Sequence, residues 1–137
     1  MQNNMISEDY VSFEIAKLLK EKGFDENTPV NYFVGDDKSR GCVVGEMIYH
    51  QRAEEDTHLI ACPTLQMAMK WLRKVHNIHI ELNPICTGDS NEDLEWHYGW
   101  AVRTTIFTDR WKRHDAEHIS YEQACEAAIK YCLENLI

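Results

Sequence analysis

Trp96, Tyr98, Trp100, Val102 and Ile106 take alternate positions with His97, Gly99, Ala101, Arg103 and Thr105 between them, the longest period-two run in the chain. A helix would scatter these residues around its circumference, whereas an extended strand gathers them on one side. The run therefore predicts a strand with one buried face. Because its apolar face continues into Val102 and Ile106, that face is expected against helices, with the aromatic rings as core. The competing reading is an exposed platform on which the rings stack against bases or sugars. On the opposite face His97, Arg103 and Phe107 are expected to be partly exposed, a surface for a partner or a second subunit.

Three capped helices supply what the strand packs on. In the first, Ser7 is the expected N-cap and Ile6 with Val11 a hydrophobic staple; Val11, Ile15, Leu18 and Leu19 line one face, and Gly23 with Phe24 ends it as a Schellman cap. The second starts at Thr64 after Pro63 and runs to about Asn77, with Leu65, Ala68, Leu72 and Val75 as its buried stripe. The third opens on a capping box of Ser120 and Gln123, buries Tyr121, Ala124, Cys125, Ala128 and Cys132, and ends at Asn135, so that Leu136 and Ile137 pack instead of fraying.

Strands fill the intervals. Val30 to Val34 and Cys42 to Tyr49 flank a turn-rich run from Gly35 to Gly41 and read as a hairpin. The chain before Pro63 reads as a strand, and Ile78, Ile80 and Leu82 alternate with His79 and Glu81 as another. Asn83 to Asp93 reads as a loop, and a last short strand or irregular segment lies around Trp111. The expected fold is a single α+β domain over 1–137, one antiparallel sheet of four or five strands with three helices mostly on one face. Thr64 and Ser120, 56 residues apart, cap corresponding helices, Ala68 falls on Ala124 at that offset, and Asn77 and Asn135 sit near the two exits; this suggests a duplicated strand-strand-helix unit.

The charge narrows function by exclusion. Fourteen Lys and Arg against 23 Asp and Glu give a net charge of -9. Nucleic-acid affinity rests largely on cations displacing counterions from phosphates, and only Lys70, Arg73 and Lys74, and Arg110, Lys112 and Arg113, form small basic groups, so a nucleic-acid partner is not expected. No stretch approaches the roughly 20 apolar residues of a membrane span. The amino terminus lacks the pattern of a signal peptide, which predicts a cytoplasmic protein with reduced thiols. Its five cysteines, Cys42, Cys62, Cys86, Cys125 and Cys132, include no pair at the spacing of a zinc knuckle or redox site.

Seven histidines leave room for metal chemistry. His114-Asp115-Ala116-Glu117-His118 spells the H-x-x-E-H of inverted zinc peptidases, in which a helix sets both imidazoles on one side. Here Ser120 caps a helix immediately afterwards, which places His114 and His118 in the polar connection before it. His76 and His79 are divided by a helix exit, and His58 and Cys62 by a strand that holds them more than ~10 Å apart. Glu54-Glu55-Asp56 and Glu92-Asp93 with Glu95 read as solvated loop charge. No nucleophile elbow, phosphate loop or dinucleotide glycine run occurs, and no cofactor is implied.

Pro63-Thr64-Leu65-Gln66-Met67-Ala68-Met69-Lys70-Trp71-Leu72-Arg73 with Val75-His76-Asn77-Ile78, the run from Tyr121 to Ile137, and Ala16-Lys17-Leu18-Leu19-Lys20-Glu21-Lys22-Gly23-Phe24 together resemble small uncharacterised prophage or mobile-element proteins of gut Bacteroidetes. The resemblance covers the helices and implies a phage-related provenance; it carries no site residue. The expected function is that of a non-enzymatic interaction or regulatory protein acting by contact with a host or phage protein, or as a homodimer. The alternatives are a small metal-dependent enzyme using His114 and His118 and an acidic mimic of nucleic acid. The metal alternative requires calorimetric titration with Zn²⁺ to show binding that disappears when His114 and His118 are both changed to Ala; a titration without heat removes it.

Overall fold

A computed structural model describes residues 6–34, 41–44, 59–104 and 111–137, with the backbone alone described at residue 34, 41–44 and 111–116. Its elements follow the order α1 (Phe13–Glu21), β1 (Asn31–Val34), β2 (Gly41–Val44), β3 (Leu59–Ala61), α2 (Leu65–His76), β4 (His79–Thr87), β5 (Glu95–Arg103), β6 (Trp111–His118) and α3 (Tyr121–Asn135). The class is α+β with antiparallel pairing, as the patterning predicts. The described strands form two sheets of three, ordered β2-β1-β3 and β4-β5-β6, where one sheet of four or five was expected. In each sheet the central strand has both edges taken, β1 by β2 and β3 and β5 by β4 and β6.

Each helix end shows why it stops where it does. α1 begins five residues later than the sequence suggests: Ser12, not Ser7, is the N-cap, its hydroxyl accepting from the Ile15 N–H at 3.3 Å. Residues before it are held in another way, since the Val11 N–H donates to the Pro63 carbonyl and the Leu65 N–H to the Asp9 carbonyl, both near 3 Å, with Tyr10 bridged to Thr64. Chain paired in this manner cannot also enter a helix, and Ile6, the expected staple, is fully exposed. The exit of α1 matches expectation. Gly23, at φ +97, donates to the Lys20 carbonyl and Phe24 to the Leu19 carbonyl, the two bonds of a Schellman motif.

Thr64 caps α2 through the Met67 N–H at 3.1 Å, and Asn77 in the left-handed region at φ 54 ends it. The buried side of α2 is rotated from the predicted stripe. Met69 and Trp71 are inside, Trp71 edge-on to Phe24 at 5.5 Å, while Val75 is 59% exposed. Ser120 caps α3 through the Gln123 N–H at 3.1 Å, and Leu136 and Ile137 are half-buried against the core as expected.

The hairpin of β1 and β2 is paired Val34 to Gly41, and the intervening turn and the expected continuation to Tyr49 lie outside the described residues. β4 runs on through Pro84, Ile85, Cys86 and Thr87, where a loop was expected from Asn83. It is an edge strand, and such strands tolerate a residue without an N–H. β6 begins at Trp111, where a short strand or irregular segment was expected, and runs on through His114 to His118, which was read as a polar connection, with a register irregularity opposite Tyr98 to Trp100. The element order repeats three strands and a helix twice, but the central strand is the first of its unit in one sheet and the second in the other. The duplication is one of order and not of topology.

α3 is the hub. It packs on β4, β5 and β6 and on both other helices, and α1 in turn meets β3. Ala124, Cys125, Ala128, Ile129, Cys132 and Leu133 are all fully buried on it. Polar contacts fix α1 against α3: Glu126 accepts from the Ser12 N–H at 2.6 Å and from its hydroxyl at 3.0 Å, and Lys130 lies 2.9 Å from Glu14. Trp100, 4% exposed, lies in the core with its ring 5.2 Å from Tyr131. Its replacement by Ala is expected to cost about 3 to 5 kcal/mol in urea-induced unfolding, and a loss below about 1 kcal/mol would contradict core placement.

Candidate interaction surface

The helix-side face of β5 passes from core to solvent along its own length. Val102 and Trp100 are buried, Tyr98 is half-buried, and Trp96 is 52% exposed. The cause is the position of α3. Its first residue, Tyr121, stands edge-on to Tyr98 at 6.1 Å, so the strand beyond Tyr98 extends past the helix that covers the rest. β4 continues beside it, with Pro84 opposite Tyr98 and Cys86 opposite Trp96, both exposed. The same apolar side that forms the core thus emerges as a strip of Tyr98, Pro84, Trp96 and Cys86, bordered by the exposed Tyr121.

The connection between β4 and β5 is closed by its own backbone. Gly88 adopts φ +134, and a Cβ there would strike the Asp93 carbonyl, so a side chain is excluded by both conformation and space. The Asp93 N–H donates to the Ser90 carbonyl at 3.0 Å, and the Ser90 hydroxyl to the Asp93 carboxylate at 3.2 Å. This turn presents Leu94, 47% exposed, beside the strip. Asp89, Glu92, Asp93 and Glu95 are all exposed around it, and residues 82–102 contain no Lys or Arg. Glu92 and Asp93, read from the sequence as loop charge, therefore lie in the turn next to an apolar surface, while Glu95 turns to the other face beside His97.

The sequence candidates fall elsewhere. His97 and Arg103 share the opposite face of β5, but buried Gly99 and Ala101 separate them. His97 lies 3.4 Å from Glu95, and Arg103 stands 4.0 Å from Glu81, so each is answered by a local carboxylate. Phe107 lies outside the described residues. His114 and His118 are on β6, paired with Trp100 and Tyr98 across the register irregularity. They occupy a strand and not the helix that the H-x-x-E-H geometry uses. His76 meets Trp71 edge-on at 4.7 Å and His79 Nε2 donates to the Asn77 side-chain oxygen at 3.3 Å, which gives the two imidazoles separate partners. Among the described residues no three His, Cys, Asp or Glu side chains converge as metal ligands. His58, Glu54, Glu55 and Asp56 lie outside them.

Three thiols are too deeply placed to act as nucleophiles. Burial pushes Cys62 and Cys125 up to about 11 and Cys132 up to about 12. The neighbouring Tyr32 hydroxyl, which donates to the Val11 carbonyl at 2.7 Å, is also raised, first by burial and then by Cys62 and Glu126. A thiol at these values stays protonated near neutral pH, and the thiolate is the reactive form.

What sequence reasoning missed is the strip itself. The alternation Ile80, Leu82 continues without a break into Pro84 and Cys86, and that period was the available signal. Two outcomes follow from the cysteines. Native alkylation is expected to modify the exposed Cys86 and spare Cys62, Cys125 and Cys132, read by peptide mapping. Because the folded pKa values exceed the unfolded thiol value of about 9, the folded state holds more protons above that pH; stability is expected to fall as pH rises from about 9 toward 12, seen as a declining urea midpoint. Comparison of the chain with protein-family models, curated proteins and solved structures gives no match.

Proposed function

We propose that this is a non-enzymatic interaction or regulatory protein of phage or mobile-element origin, acting by protein contact through the far end of the β4–β5 hairpin. The observation that carries the reading is the exposure of Trp96 at the end of a face whose other residues form the core. Large aromatic side chains held in place by a strand contribute disproportionately to protein interfaces, because little conformational freedom remains to be lost on binding. The strip has an apolar centre and a charged rim, the usual arrangement of a contact surface. Its origin rests on the resemblance of the helical segments to prophage proteins.

The apolar centre also separates this reading from the alternatives. A mimic of nucleic acid calls for carboxylates without an aromatic anchor, and a hydrolytic metal centre calls for converging ligands. Trp96 makes its contribution to a partner and not to the core, so Trp96→Ala is expected to leave stability within about 0.5 kcal/mol of the parent while weakening the contact by about 2 kcal/mol or more. The check is quantitative cross-linking in cells that naturally express the protein, comparing what is captured by the parent and by Trp96→Ala. Equal capture by both, or capture by neither, would overturn the reading.

A further inference from the structure

A second surface carries the opposite character. Along α2, Met67, Trp71 and Val75 wall a cavity of about 290 Å³ whose rim holds Lys70 and Lys74. Val75 is the residue whose exposure contradicts the helical pattern, and here it forms part of an apolar wall. α2 contains no Asp or Glu over Leu65–His76. Glu26 stands on the far rim and is the one opposing charge in the lining. The volume lies at the ~300 Å³ lower end of small-molecule sites and suits one large side chain.

The geometry points to a head-to-tail contact between copies of this chain, in which the hairpin end of one copy, with Trp96 as its anchor, seats in the α2 cavity of the next. This rests on the reading of the hairpin end as a protein-contact surface and names its partner. Charge supports the pairing: Asp89, Glu92 and Asp93 are exposed in the turn that leads to the anchor, and Lys70 and Lys74 line the cavity. Distance excludes the same contact within one molecule. β4 begins just after α2 and carries the hairpin away over nine residues, roughly 30 Å in extended form, so a molecule cannot reach its own cavity. Since two different patches meet, the contact is heterologous and propagates beyond a dimer unless it closes into a ring.

The two patches can be disabled separately. Trp96→Ala removes the anchor and leaves the cavity, while Lys70→Glu with Lys74→Glu spoils the cavity rim and leaves the anchor; all of these positions except Trp96 lie wholly on the surface, and circular dichroism checks that each variant is folded. In sedimentation velocity, the parent is expected to self-associate with rising concentration, more weakly at high salt. Each variant alone is expected to associate at least roughly 30-fold more weakly. An equimolar mixture of the two is expected to give a 1:1 dimer and nothing larger, because one intact anchor meets one intact cavity. A monomeric parent at every concentration, a variant that assembles like the parent, or a mixture that fails to pair would each overturn the proposal, the second indicating a twofold contact through a single patch. If the parent is monomeric yet still captures another protein in a manner sensitive to Trp96→Ala, the contact reading stands and only the second copy is removed as its partner.

Discussion

The close packing of α3 is the constraint on which the other elements depend. Two helices and three strands meet this one helix, and they can do so because four of its six fully buried residues are Ala or Cys. Small side chains let neighbouring backbones approach on several sides at once, while Ile129 and Leu133 supply the larger volumes that fill the remaining space. Cys125 and Cys132 act here as small apolar residues. Their raised thiol values are the chemical trace of that burial, and they show why cysteine number alone says little about reactivity.

A second constraint is polar and sits where α1 begins. Residues 9–12 are shared among three elements: backbone bonds tie them to the entry of α2, Tyr32 of β1 donates to the Val11 carbonyl, and Glu126 of α3 accepts from Ser12. Thr28 continues the network, its hydroxyl accepting from the Cys62 N–H at 3.2 Å. A buried N–H or carbonyl without a partner is costly, so the bonds made at the fully buried Val11 and Cys62 select one arrangement of the chain. That selection moved the N-cap from Ser7 to Ser12. The carboxylate of Glu126 also faces the positive end of α1, where a negative charge is favoured.

The candidate surface follows from a mismatch of lengths. β4 and β5 each run nine residues, and α3 starts too far along to cover all of them. The alternation joins Trp100 and Val102 to the core, where both are buried, yet it carries no signal of where cover ends. Trp96 and Trp100 look equivalent in a period-two pattern. One is buried and the other is half exposed only because Tyr121 falls beside Tyr98. The H-x-x-E-H spelling failed for the converse reason, since a motif states residue spacing and a strand spends that spacing differently from a helix.

The sequence by itself determined the elements whose signals are local. Thr64 and Ser120 as caps, the Gly23-Phe24 exit, the pairing of β1 with β2 and the extended form of β5 all have local signals, and all are found in the structure. What only tertiary structure decided were the partners of those elements: two sheets and not one, the rotation of α2 that exposes Val75, the extension of β4 beyond Asn83, and the end of α3 over the sheet. Those outcomes depend on which distant surfaces can be covered and which distant polar groups can be paired. Burial and hydrogen bonding across the fold settle such questions jointly, and no short run of residues carries them.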